Sequence, residues 1–222
     1  MNPLAEGLAL IFDMDGVIVD SNPVHREAWV AFNRGYGLET TPAMLERMYG
    51  KRNDEIIGDY FGDGLGLEEV VARSRAKEEL YREMAGSRIE QMLLPGLRAF
   101  LDRYRAVPMA VASNAEPENV AFVLDRAGLR PYFRVVVDGR QVIHPKPHPD
   151  VYLRAAALLE VAPANCIVME DSPTGVAAAK AAGMRVIGVR TTYVNLQGTD
   201  WNADNFKSGD LTSWLGAQRR LV

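Results

Sequence analysis

Cysteine is almost missing from this chain: of 222 residues only Cys166 is one. A single thiol excludes an intramolecular disulfide and any cysteine-based zinc site. Histidine is nearly as scarce. His25, His144 and His148 show no metal-motif spacing, and the last two read as loop residues. Long hydrophobic runs are absent too, since none approaches the ~20 residues of a membrane-spanning helix. Nor is there surplus positive charge. Lys and Arg number 25 against 29 Asp and Glu, a net charge of −4. That balance leaves no footprint for nucleic acid or an anionic membrane. The Arg219–Arg220 pair reads as a solvated tail. The start, Met-Asn-Pro-Leu-Ala-Glu-Gly, lacks the basic region and cleavage site of a signal peptide. A cytoplasmic monomer is therefore expected, with neither nucleic-acid nor membrane partners.

What is present is an ordinary globular composition, 48% hydrophobic and 24% charged, in a chain long enough for one large domain or two small ones. Five β-rich apolar runs stand out: Leu8–Phe12, Met109–Ala112, Val135–Val137, Ile167–Met169 and Val186–Val189. Helical periodicity fills Pro95–Tyr104, Pro117–Ala127, Pro149–Leu159 and Pro173–Ala182, each opening on a proline suited to a first helical turn. Strands alternating with helices predict a doubly wound parallel sheet of the α/β class. Residues 21–94 break the rhythm. They hold no convincing strand, only helical patterns over Val24–Asn33, Ala43–Met48, Asp54–Tyr60 and Leu67–Met84. An all-helical insertion is expected there, leaving 1–20 with 95–222 as the sheet domain. The stretch Thr191–Phe206 reads as polar loop, before a short closing segment in which Leu211, Trp214 and Leu215 pack on the core.

The chemistry gathers at strand ends. Asp13 and Asp15 follow the first run, with Gly16 directly behind. Residues two apart share a strand face, so two acids repel there unless a cation sits between them. Magnesium, a hard cation that takes oxygen ligands, fits that need and points to phosphoryl transfer. Ser113 and Asn114 follow the second run, and Glu170 and Asp171 the fourth. Either of the first two alone reads as a helix cap. The four carboxylates together read as a metal site, because ligands of open α/β sheets bind at the carboxyl ends of strands. Lys146 lies between Pro145 and Pro147, which fix where it points. It reads as the cation that holds phosphate beside those acids rather than as a surface charge. Three other patterns carry no such meaning. Gly62, Gly64 and Gly66 lack the spacing and the preceding strand of a dinucleotide loop. The Asp13–Gly16 segment lacks the further ligands of an EF-hand, and Ser113 lacks a nucleophile elbow.

Asp-Met-Asp-Gly at 13–16, Ser113, Lys-Pro-His-Pro-Asp-Val-Tyr from Lys146, and Glu-Asp-Ser-Pro-Thr-Gly-Val from Glu170 stand in the order of four motifs. In this the chain resembles, over essentially its whole length, the haloacid dehalogenase-like phosphohydrolases. The helical insertion resembles the cap of the β-phosphoglucomutase and phosphoglycolate-phosphatase branch. The resemblance implies a Rossmann-like core with a helical cap, a Mg2+ cofactor and a small phosphorylated metabolite as substrate. It implies that Asp13 is the nucleophile and Asp15 the general acid and base. Ser113, assisted by Asn114, would hold the phosphoryl group, and Lys146 would bridge it to Asp13. Asp13, Asp15, Glu170 and Asp171 would ligate the metal. In the cap, His25 and Lys77 resemble mutase residues. Gly50-Lys51-Arg52-Asn53 lies where that branch has its substrate loop. Mutases carry a phosphate-binding arginine there; Arg52 stands close by, but Asn53 aligns with it. His25 also reads simply as a helix residue packed on Trp29. Ser113-Asn114-Ala115 looks more like the sugar-phosphate phosphatases than the mutases. A phosphatase is thus the expected activity, a β-phosphoglucomutase the alternative. A non-catalytic phosphate-binding module fits poorly with so complete a set of reactive groups.

Overall fold

The computed structural model describes residues 7–48 and 51–218. Gly50 and the Arg219–Arg220 pair lie outside them. The chain divides into two compact units, Met1–Asp20 with Gln91–Val222, and Ser21–Glu90.

Among the described residues, the first unit holds six strands: β1 (Ala9–Phe12), β2 (Met109–Ala112), β3 (Val135–Val137), β4 (Cys166–Glu170), β5 (Arg185–Val189) and β6 (Trp201–Ala203). All pair in parallel, in the order β3-β2-β1-β4-β5-β6. This is the doubly wound order, and its direction reverses between β1 and β4. Strands covered on both faces read as unbroken apolar runs rather than alternating ones. That is why β1, β2 and β4 are buried along their whole length. Helices α8 (Asp150–Leu159) and α9 (Pro173–Ala181) supply Val151, Tyr152, Ala155, Ala156, Val176 and Ala179 to the same core as Ile11, Ala110 and Val168. Phe12 instead meets Phe100, Phe133 and Phe206, with ring centroids 5.6–6.2 Å apart. Phe100 comes from α6 (Leu97–Arg103). The remaining long helix of the connections is α7 (Pro117–Arg126), and α10 (Gly209–Ala217) buries Leu211 and Leu215 while Trp214 stays half-buried.

Two sequence expectations need correction. The polar stretch after Thr191 contains β6, three residues of strand paired with β5. Its residues Trp201, Asn202 and Ala203 are too few to show periodicity. Tertiary bonds hold the strand instead: Asp200 accepts from the Val186 N–H (2.6 Å) and from Lys180 (2.5 Å). The boundary of the helical segment also moves. Leu94 N–H donates to Ile18, Asp20 N–H donates to Met92, and Val19 bridges Leu93. These bonds bind residues 91–94 to the sheet unit.

Among the described residues, the regular structure of the second unit is helical: α1 (Asn22–Gly35), α2 (Pro42–Arg47), α3 (Asn53–Phe61) and α4 (Leu67–Ala85). A short α5 (Ile89–Met92) follows at the unit boundary. The Thr41 hydroxyl caps α2 by accepting from the Met44 N–H. Trp29, Phe32, Leu45, Met48, Ile56 and Ile57 form the core of the unit, and Trp29 meets Phe32 edge-on at 5.6 Å. Among the described residues no helix is long and apolar enough to cross a membrane.

Candidate active site

Strand register brings the acids together. Phe12 pairs with Met169, so Asp13 comes level with Glu170 across the switch between β1 and β4. The Asp13 N–H donates to the Met169 carbonyl (3.0 Å), extending the ladder one step further. Ser113 leaves β2 at the same edge, its N–H bonded to Val137 of β3. The backbone then turns sharply after Asp13. Gly16, at φ +80°, donates its N–H to Val19, and a Cβ there would fall 1.8 Å from an Asp171 oxygen. Only glycine fits that conformation at that approach.

Lys146 enters from the loop before α8. It is buried, and its Nζ lies 2.6 Å from Asp13 Oδ1 and 2.7 Å from Glu170 Oε1. Asn114 Oδ1 accepts from the Lys146 N–H (3.2 Å), and the Ser113 hydroxyl oxygen accepts from the Ala115 N–H (3.0 Å). Glu170 is the best-tethered acid. Oε1 takes Lys146 and the Tyr152 hydroxyl (2.9 Å), while Oε2 takes the Ser172 N–H (2.9 Å) and Oγ–H (3.0 Å). A carboxylate offers about four acceptor positions, and protein donors meet all four here. Asp171 accepts from the Thr192 hydroxyl.

Electrostatics follow from this burial. Desolvation pushes Asp13 up to about 7, against the pull of Lys146 and with further push from Glu170 and Asp15. Asp171 is raised well above the carboxylate range, first by burial and then by Glu170 and Asp13. Lys146 is held charged: burial alone would lower its pKa, but Asp13 and Glu170 raise it. One candidate ligand oxygen each from Asp13, Glu170 and Asp171 lies within 4.8 Å of the others. Ionised together, these three carboxylates would outnumber the single Lys146 ammonium by two charges in a buried place, which is why burial raises two of them. A divalent cation would cancel that excess, and the all-oxygen donor set suits magnesium. Asp15 is half-buried beside this cluster. Cys166 takes no part, since burial holds its thiol up at about 12.

The sequence reading gave no role to Tyr152, which closes the Lys146 motif, to Ser172, which lies inside the Glu170 motif, or to Thr192. Tyr152 has helical core spacing, and only a buried hydroxyl's need for a partner could have marked it. Burial keeps its phenol protonated, so it stays a donor. Its ring also carries Lys146 Nζ at 4.7 Å from the centroid. Tyr152→Phe keeps that ring but withdraws one bond from a buried carboxylate. Stability should fall by about 2 kcal/mol, the usual scale for a hydrogen bond to a charged group. Urea unfolding checks this, and an unchanged midpoint would contradict it.

The helical unit forms a cluster of its own. His25 stacks on Tyr81 at 3.8 Å, and its Nδ1 accepts from Lys77 (3.2 Å). Lys77 is buried and paired with Glu78. The Asn53 amide donates to Glu78 (2.6 Å) and to Ser74 (3.1 Å). Lys51 and Arg52 stay exposed, facing Asp59 at 2.5 Å and Asp54 at 3.5 Å. Of the proposed cap residues, then, His25, Asn53 and Lys77 converge, while Lys51 and Arg52 do not join them. Burial alone would raise the Glu78 pKa, but Lys77, with His25 and Asn53, brings it down from 4.5 to about 2. A depressed carboxylate stabilises the fold above its unfolded pKa and loses that contribution as pH falls through its folded one. The difference is worth about 3 kcal/mol. Glu78→Gln should therefore cost stability at pH 7, and the gap from the parent should narrow between pH 4.5 and 2. A pH-independent gap in denaturant unfolding would contradict the pairing.

Strand-end acids and a buried lysine at the switch point of a doubly wound sheet define a class of α/β hydrolase that uses neither a serine elbow nor a reactive thiol. The family model of the haloacid dehalogenase-like hydrolases matches residues 8–183. This chain belongs to that family. It is 35% identical to a fructose-1-phosphate phosphatase of Escherichia coli over 181 residues, 82% of this chain and 95% of that protein. Identity to a β-phosphoglucomutase of Bacillus subtilis is 31% over 187 residues, 82% of each chain. A crystal structure of β-phosphoglucomutase from Clostridium difficile superposes with a TM-score of 0.83 at 26% identity, covering 94% of this chain and 96% of that one.

Proposed function

We propose that this protein is a magnesium-dependent phosphatase that hydrolyses a small phosphorylated metabolite, a sugar phosphate, through an aspartyl-phosphate on Asp13. The observation that carries the reading is the triangle of Asp13, Lys146 and Glu170, with Asp171 beside it. Asp13 would attack phosphorus as the ester P–O bond breaks, and Asp15 would protonate the departing alkoxide. Asp15 would then take a proton from water as that water attacks phosphorus, releasing phosphate and restoring Asp13. This divides one displacement into two. Lys146, Ser113 and Asn114 would hold the phosphoryl oxygens, in keeping with catalysis by positioning and charge. Asp13, Asp171 and the Asp15 carbonyl would hold magnesium; Glu170, expected as a further ligand, has its oxygens taken by Lys146, Tyr152 and Ser172 and would join the shell only by giving up one of those bonds. Bound there, the metal would neutralise the charge of the transferring group and keep Asp13 ionised.

The mutase reading draws support from the relatives bearing that name. It requires a cap cation for a second phosphate. In this chain Lys77 is paired with Glu78, and Asn53, where mutases have arginine, serves Glu78 and Ser74. That balance favours water as the acceptor. The test is a panel of phosphorylated metabolites including fructose 1-phosphate and β-glucose 1-phosphate. Free phosphate and glucose 6-phosphate are followed with Mg2+ and with EDTA. Phosphate release that EDTA stops and Mg2+ restores is expected. Sustained glucose 6-phosphate formation with a bisphosphate primer would establish the mutase instead. Turnover indifferent to EDTA would overturn the metal centre.

A further inference from the structure

The loop that delivers Lys146 carries a second cluster on its outer side. Residues 143–150 run Ile-His-Pro-Lys-Pro-His-Pro-Asp. Lys146 is buried, but His144 and His148 on either side of it are exposed. Their rings lie 4.5 Å apart, centroid to centroid. His144 Nδ1 is 3.1 Å from Asp150 Oδ2, and His148 Nδ1 is 2.7 Å from Asp150 Oδ1. The His144 N–H also donates to Asp150 Oδ2 (3.3 Å). Prolines 145, 147 and 149 alternate with these residues and stiffen the loop. Three side chains of metal-ligating type thus face one another, with one candidate ligand atom from each within 4.8 Å of the rest. The four-residue interval gave no hint of this, because the proline-rich turn, not a helix, makes the two histidines neighbours.

We propose that His144, His148 and Asp150 bind a borderline divalent cation of the zinc class, at a site separate from the acidic centre, and that the ion clamps the loop bearing Lys146. Two imidazoles and one carboxylate are donors for zinc, nickel or iron(II), and poor ones for magnesium. The acidic centre, all oxygen, has the opposite preference. The histidine–carboxylate distances are already close to those between ligands sharing one ion, so binding asks for little movement. Three protein ligands leave a coordination position to water, and the exposed rings leave the ion exchangeable with solvent. Ligation on both flanks of Lys146 would fix the segment that places its ammonium between Asp13 and Glu170. The competing account is a pair of histidine–aspartate ion pairs with no metal role.

The full-length protein, in excess MgCl2 to fill the acidic centre, is titrated with ZnCl2 by calorimetry. Thermal melting is followed in parallel. One zinc ion per chain is expected, together with a rise in Tm, because a ligand that binds only the folded state stabilises it. His144→Asn with His148→Asn, both at exposed positions, should abolish the heat and the Tm shift together. Co2+ added to the unaltered protein gives a readout that needs no variant: visible bands of imidazole-coordinated cobalt are expected. Zinc binding that persists in the double variant would place the ion at the acidic centre and overturn the proposal. No zinc heat in the parent, or cobalt spectra without imidazole ligation, would reduce the cluster to ion pairs and overturn it as well.

Discussion

Asp13→Asn should remove turnover while making the metal-free protein more stable. An amide oxygen cannot form the acyl phosphate, so the rate should fall by about four orders of magnitude or more, the scale seen when a nucleophile is removed elsewhere. The gain in stability comes from the same burial that suits the site for chemistry. Desolvation raises the Asp13 pKa from 3.8 to about 7. A carboxyl raised in this way favours folding most below its unfolded pKa. That contribution is lost as pH climbs through the folded pKa, so above pH 7 the ionised acid opposes folding. Asn carries no charge to bury. The advantage of Asp13→Asn should therefore grow from pH 4 to pH 7 and level off above, reaching on the order of a few kcal/mol. Magnesium should reverse the order by stabilising the parent. Denaturant unfolding with EDTA and with Mg2+, at pH 5 and pH 8, checks both signs. A less stable metal-free variant at pH 8 would contradict the picture of a strained carboxylate awaiting a cation.

Gly175→Ala, five residues after Glu170 in the same motif, should be nearly as damaging. A Cβ at residue 175 would stand 1.7 Å from Glu170 Oε1 and 1.9 Å from its Cδ. No rotamer relieves this, since both Glu170 oxygens are tied, one to Lys146 and Tyr152 and the other to Ser172. Gly175 is itself held by its N–H bond to the Ser172 hydroxyl at the start of α9 (3.1 Å). Either the helix or the carboxylate must move. Overpacking of this kind costs about 1–3 kcal/mol. Moving Glu170 also moves Lys146, whose ammonium is shared with Asp13. A misplacement of about 1 Å at a reacting group can cost about a hundredfold in rate. The predicted signature is a modest loss in unfolding free energy joined to a large loss in kcat. Native rate and stability would show that Glu170 is not fixed as described.

These two cases show where sequence was legible and where it was not. Asp13, Asp15, Glu170 and Asp171 announced themselves because an acid at the end of an apolar run needs a reason to be there. Lys146 did so because prolines flank it. Strand order and register were invisible, yet they make Asp13 and Glu170 neighbours across 156 intervening positions of chain, at the ends of β1 and β4. Tyr152 read as core because its ring is core; its hydroxyl bond to Glu170 left no mark in the sequence. Gly175 stood in the Glu170 motif without an assigned role, as its meaning lies in the carboxylate oxygen that a Cβ there would meet at 1.7 Å. β6 was lost because tertiary bonds rather than periodicity define it. In the helical unit the helices were legible, but the pairing of Lys77 with Glu78 was not. Adjacent helix positions do not ordinarily face each other, and shared burial brings these two together.

The central claim is that Asp13 carries the phosphoryl group. The direct measurement is an acid quench during turnover of an accepted sugar phosphate, followed by borohydride reduction and peptide mass mapping. Reduction converts an acyl phosphate to an alcohol, so homoserine at position 13 is predicted, and none there when substrate is omitted. Active enzyme that yields homoserine at another acid, or at none, would contradict the account.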